Sequence, residues 1–221
     1  MNFVSIDFET ATSKNTSICS MGICVVENNM VAEQKEILIK PAPFEFQDYN
    51  IYIHGITPQM VVDKPTFDQY WDQVQPYLEN HLVIAHNAGF DVGALCGTLA
   101  HYNLAYPTFD YLCTVKLSQK AYPELPSHKL NNLCSALGIE FSHHHAMDDA
   151  YACAEVLLHI LDDYSLTSLS EIEECFEIGI GKLYPGCHLP CSKNKKKQKR
   201  PKTTNVLQKK TQTQKDIVKQ V

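Results

Sequence analysis

Arginine is nearly missing from this chain. Its single copy is Arg200, and residues 1–192 contain none. Gripping a polyanion along its length leans on Lys and Arg, so the body of the protein is poorly equipped for avid duplex binding. Long hydrophobic runs are missing too. No stretch approaches the roughly 20 apolar residues that a membrane span needs, so no membrane association is expected. The opening residues, MNFVSIDFET, lack a basic segment followed by an apolar one; they read as a first strand, and no signal peptide is expected. The nine cysteines are an odd number, scattered, and mostly set in apolar runs such as GICVV and ALCGTL. That usage argues for free thiols in a reducing cytosol, not for a disulfide framework. Cys187 and Cys191 make a lone C-x3-C around His188, too few ligands for a zinc site.

What is present is enough for one sizeable core. The 221 residues are 44% hydrophobic, which suits one domain and an appendage. The net charge of −6 conceals a division. Residues 193–221 hold eleven Lys and Arg against Asp216, a net +10, while residues 1–192 hold eight Lys against 24 acids, a net −16.

Residues 2–8, 18–26 and 31–39 read as strands, the last two joined by a turn at Glu27-Asn28-Asn29. Residues 41–66, with four prolines, read as an irregular excursion. Helical patterning covers 67–79, an apolar strand 82–86, a helix 90–102 and a short strand 109–113. Leu130, Leu133 and Leu137 mark a helix closed by Gly138, and a last helix covers 147–161. This alternation predicts an α/β domain with a mixed sheet. The expected division is a domain over 1–178, a Gly- and Pro-rich linker over 179–192, and a basic tail over 193–221 too poor in aliphatic residues to order itself.

Three acidic motifs stand on this scaffold. Asp7-Phe8-Glu9-Thr10 ends the first strand, where side chains two apart share a face. Asp7 and Glu9 therefore project together, and paired carboxylates repel unless a cation lies between them. His86-Asn87-Ala88-Gly89-Phe90-Asp91 links a strand exit to a helix start, the usual place for a site in α/β folds. His143-His144-His145-Ala146-Met147-Asp148-Asp149 leads into the last helix. Each has a plain explanation when taken alone: a solvated strand edge, a carboxylate favoured by the helix dipole, and a helix-capping acid beside surface histidines. The histidine triplet could also bind zinc adventitiously.

Together these motifs resemble those of the DEDDh class of 3′→5′ exonucleases, which includes the epsilon proofreading subunit of bacterial DNA polymerase III and ribonuclease T. The class patterns D-x-E-T, H-N-A-x-F-D and H-x-A-x-x-D are matched at Asp7–Thr10, His86–Asp91 and His144–Asp149. His54-Gly55-Ile56-Thr57 is similar to the class's H-G-I-T loop, and His128-Lys129-Leu130 with Leu133-Cys134 to its H-x-L-x-x-L-C helix. The likeness runs over about residues 2–162 in order and leaves the tail uncovered. It implies a ribonuclease-H-like fold, a mixed five-stranded sheet flanked by helices. It implies Asp7, Glu9, Asp91 and Asp149 as ligands of two divalent cations, Mg²⁺ or Mn²⁺, and His144 as general base. It also implies that Thr10 and Glu9 hold the terminal 3′-OH, that His54, Gly55 and Ile56 line the last base, and that Asn87 positions a phosphate.

The chemistry agrees. Phosphodiester hydrolysis needs an activated water and neutralised phosphate oxygens, and two divalent cations about 4 Å apart supply both. Such hard ions call for carboxylates. Histidine, with an ordinary pKa near 6.5, suits the proton transfer. The register leaves His145 open as the alternative to His144, and Asp148 as the alternative to Asp149. The expected partner is the single-stranded 3′ end of a nucleic acid, DNA before RNA, with an RNA-trimming exonuclease as runner-up and a non-catalytic, polymerase-associated module as a third reading. A polymerase partner stays open, because the tail lacks an evident docking helix. The expected location is cytoplasmic, or nuclear if the host is nucleated, since KKKQKRPK suits a nuclear address and could also tether nucleic acid.

Overall fold

A computed structural model of the chain describes residues 1–194. Three strands open it: β1 (Phe3–Thr10), β2 (Ile18–Glu27) and β3 (Met30–Leu38), paired as an antiparallel meander. Asn28 and Asn29 make the turn between the last two, with φ of 52° and 62°. That left-handed backbone is the one asparagine tolerates best among residues with a side chain. Two further strands, β4 (Leu82–Ala85) and β5 (Phe109–Cys113), add on the other edge of β1, each parallel to its inner neighbour. Eight helices connect and cover the sheet: α1 (Asp48–His54), α2 (Pro58–Val61), α3 (Phe67–Leu78), α4 (Gly89–His101), α5 (Thr114–Ala121), α6 (Leu130–Leu137), α7 (Ala146–Asp163) and α8 (Leu169–Phe176). None is long and apolar enough to cross a membrane.

The chain closes with β6 (Gly181–Tyr184) and β7 (Cys187–Leu189). The sheet is therefore seven-stranded, in the order β3-β2-β1-β4-β5-β6-β7. This corrects two expectations: the sheet exceeds five strands, and residues 179–192 are its last hairpin, not a linker. Their glycines and prolines gave the wrong signal because one of the glycines is needed for packing. A Cβ on Gly181 would stand 2.4 Å from the Tyr111 ring, so only glycine lets β6 pass over it. Leu183 and Cys191 are buried in consequence. The expected excursion over 41–66 contains the short helices α1 and α2, and α5 and α8 went unread because their apolar spacing is brief. The basic tail lies outside the described residues.

Strand alternation divides the core into two layers. Val4, Ile6 and Phe8 of β1 meet Trp71, Val74 and Leu78 of α3 and Val92, Leu95 and Leu99 of α4. The opposite face takes Phe3, Ile84 and Leu112 against α5 to α8, with Leu117, Leu133, Ala150, Cys153 and Leu157. Each fully buried large apolar side chain contributes about 1.5–3 kcal/mol. Because Phe8 faces the α3–α4 layer, the alternation turns Asp7 and Glu9 toward the layer of α7.

Candidate active site

Backbone geometry brings four acids to one place. Asp7 and Glu9 stand side by side on β1, which has an irregular register between Glu9 and Thr10. Asp91 sits in the first turn of α4 and is buried. The Phe8 backbone N–H donates to its Oδ1 at 3.2 Å, while its Oδ2 is buried with no hydrogen-bond partner. An unpartnered buried carboxylate oxygen is costly, so this atom points to a ligand.

Asp149 comes from the first turn of α7. Its approach to β1 depends on Gly22, which faces Asp7 across the β1–β2 pair. A Cβ at Gly22 would stand 1.9 Å from the Ala146 carbonyl oxygen. The missing side chain lets the start of α7 lie directly on the sheet. Asp149 is then gripped from the preceding loop. His143 Nδ1 lies 2.9 Å from Oδ1, and the His144 backbone N–H donates to Oδ2 at 3.1 Å. His144 reaches this position with φ of 69°, a left-handed backbone uncommon outside glycine. The rings of His143 and His144 stack at 3.8 Å.

Asp7, Glu9 and Asp149 each offer an oxygen within 4.8 Å of the others. Burial first, then Asp91, Asp149 and Glu9, pushes the Asp7 carboxyl well above the ordinary carboxylate range. Glu9 is pushed up to about 8 by burial, then by Asp149 and Asp91. Asp91 is raised to about 8 by burial, against the lowering pull of the Phe8 amide. Asp149 is raised by burial and pulled back by His143. Four acids held in this way resist ionisation unless a cation joins them. Their all-oxygen donor set fits hard divalent ions.

The site opens into a cleft of about 740 Å³. Its wall includes Asp7, Glu9, His86, Asn87, His143, His144 and Asp149, together with Gln119, His128, Lys129 and Asn131. Asn87 turns the chain with φ of 65°. His86 Nδ1 lies 2.9 Å from the Thr114 hydroxyl, and burial pushes its pKa down to about 4, so the imidazole is neutral. His144 is lowered by burial and by His143.

The structure thus unites Asp7, Glu9, Asp91, Asp149, His144 and Asn87. His145 and Asp148 are turned elsewhere: His145 lies 3.1 Å from Glu36 on β3 and 3.5 Å from Asp148. Thr10, His54, Gly55 and Ile56 do not line the cleft. Ile56 is buried with Ala11, Cys19 and Val61. His54 Nδ1 accepts the Ile56 N–H at 3.0 Å, and its Nε2 lies 3.2 Å from the Thr10 carbonyl. Asn50 donates to the same carbonyl at 2.8 Å. The segment therefore braces the end of β1 one residue beyond Glu9. Gly22 and Thr114 were missed by sequence reasoning, which named His143 only as part of the histidine triplet. Gly22 carried no signal at all, because its role depends on which element lies above it.

With this geometry in view, the sequence matches the RNase T exonuclease family over residues 4–157. The chain belongs to that family. It is 30% identical over 192 residues to the DNA polymerase III subunit epsilon of Haemophilus influenzae, covering 80% of this chain and 73% of that protein. It is 32% identical over 163 residues to the PolC-type DNA polymerase III of Clostridium perfringens, covering 70% of this chain and 11% of that protein. The exonuclease thus spans about a tenth of its PolC-type relatives. Among solved structures, exonuclease X in complex with 5′-overhanging duplex DNA aligns with a TM-score of 0.64 at 23% identity, over 77% of this chain and 98% of that one. The nuclease domain of 3′hExo, a DEDDh member bound to rAMP, aligns at 0.65 and 19% identity, over 76% and 94%.

Proposed function

We propose that this exonuclease trims single-stranded DNA from its 3′ end by a two-cation hydrolysis and releases nucleoside 5′-monophosphates. One observation carries the reading: four crowded carboxylates, one with an orphaned buried oxygen, with no Lys or Arg bonded to them among the described residues.

Asp7, Glu9, Asp91 and Asp149 would hold two divalent cations, Mg²⁺ or Mn²⁺. When bound, these supply an activated water and neutralise charge on the phosphate oxygens. The Phe8 amide fixes the Asp91 carboxylate, and His143 with the His144 amide fixes that of Asp149. His144, kept neutral by its lowered pKa, takes the proton from the attacking water. Neutral His86 and Asn87 orient the phosphate from the cleft wall. Glu9 holds the terminal nucleotide at the end of β1, which the His54–Ile56 segment braces through the Thr10 carbonyl from outside the cleft. Gripping the strand's end restricts cleavage to the last bond. The acidic, arginine-free body fits a few terminal nucleotides and not a long duplex.

DNA is favoured by the kinship with epsilon and PolC-type polymerases. An RNA-trimming role is the second reading, raised by the likeness to a nuclease domain bound to rAMP. The same kinship raises a polymerase as partner, which co-purification with a replicative polymerase would test. A cytoplasmic setting accords with the free cysteines along the described chain.

The test uses matched single strands of DNA and RNA, labelled at either end, with Mg²⁺, Mn²⁺ or EDTA, beside Asp7→Ala. A ladder that shortens from the 3′ end, needs metal and is lost in the variant is expected, faster on DNA. Retained cleavage in Asp7→Ala would sink the cation reading, and a faster RNA ladder would reverse the substrate.

A further inference from the structure

We propose that His143, His144 and Asp149 form a second metal site, suited to Zn²⁺, whose occupation switches the exonuclease off. The family's third motif needs one histidine, and His144 supplies it. His143 is an additional imidazole placed on the same carboxylate. Its Nδ1 lies 2.9 Å from Asp149 Oδ1, its ring stacks on that of His144 at 3.8 Å, and one ligand atom from each of the three residues lies within 4.8 Å of the others. A tetrahedral zinc site with bonds near 2.0–2.1 Å sets its donors roughly 3.3 Å apart, so a small turn of the two rings closes it. Both histidines are exposed at the cleft, and water would fill the remaining position.

Donor chemistry separates this site from the catalytic one. Asp7, Glu9 and Asp149 present only oxygen, which suits Mg²⁺ and Mn²⁺. Two imidazoles and one carboxylate favour zinc over either ion. Asp149 belongs to both sets. Zinc on the histidine side would take Asp149 from the catalytic ions and occupy the imidazole that must accept the proton. His145 stands outside, held by Glu36 and Asp148.

The binding half stands apart from the proposed mechanism, and the inhibition half rests on it, so two readouts are needed. Zn²⁺ binding to the metal-stripped full chain is measured by competition with a chromophoric indicator, and zinc titrated into the Mg²⁺-dependent reaction gives inhibition. His143→Ala should weaken binding by about tenfold or more and raise the half-inhibiting zinc concentration in parallel, relative to its own zinc-free rate. His145→Ala and Asp7→Asn should keep the affinity. Unchanged affinity in His143→Ala overturns the site. So does its loss in Asp7→Asn, which would put zinc among the carboxylates, or in His145→Ala, which would mark loose chelation by the triplet. Tight binding through His143 without inhibition overturns the switch. A wild-type protein that binds zinc through His143 but cleaves nothing would instead sink the mechanism.

Discussion

At the scale of single residues the site is a set of charges held where they are least comfortable. His144 and His145 are neighbours in sequence, but one faces the cleft and the other faces Glu36. His144→Ala should therefore lower the rate by roughly 10²–10⁴-fold while substrate still binds, and His145→Ala should leave it nearly unchanged. Single-turnover rates and filter binding read both; the reverse pattern would move the base to His145. The carboxylates make a prediction about pH. Glu9 and Asp91 titrate near 8 in the folded chain, against the ordinary range near 4. Between those limits the folded state binds more protons than the unfolded one. Without metal, these groups therefore lower stability progressively as pH rises from about 4 to about 8, with no further loss above. Asp7→Asn removes one of the repelling charges, so its Tm in EDTA should rise relative to wild type across that window, and saturating Mg²⁺ should abolish the gain. A difference independent of pH would mean that the acids are not coupled.

At the scale of elements, the decisive contact is the seat of α7 on β2. Gly22→Ala would force its new methyl against the Ala146 carbonyl, and the start of the helix would have to lift. Overpacking of this kind costs about 1–3 kcal/mol. Asp149 and His144 would move away from Asp7, so activity should fall by more than tenfold with secondary structure retained. Circular dichroism and the rate together check this; full activity would show that the helix has slack. Much at this level was legible beforehand. The Asn28-Asn29 turn, the strand exit at His86 and the helix closed at Gly138 follow from local conformational preference. The hairpin β6–β7 was not legible, because glycine and proline signal loops unless one knows that Tyr111 lies beneath Gly181.

At the scale of the whole molecule, an acidic body is joined to a strongly basic stretch after residue 192. The body offers Lys129 to the cleft wall and little else of positive sign. Ending the chain after Asn194 should weaken binding to single-stranded DNA and flatten its dependence on salt, because fewer counterions are released. Cleavage of a bound strand should proceed at much the same rate. Binding isotherms at several salt concentrations test this, and an unchanged slope would leave the tail without an electrostatic role.

By itself the sequence determined the chemistry. Asp7 and Glu9 share a face because strands alternate, and hard ions require carboxylates. Strands and helices alternate because apolar residues recur at spacings of two or of three to four. Only the tertiary structure decided which groups meet. Strand register set Gly22 opposite Asp7, and helix packing brought the Ala146 turn onto it. The loop before α7 directed His143 and His144 to Asp149 and His145 away. Such meetings depend on distances between segments far apart in the chain, and those distances are set by packing, not by local preference.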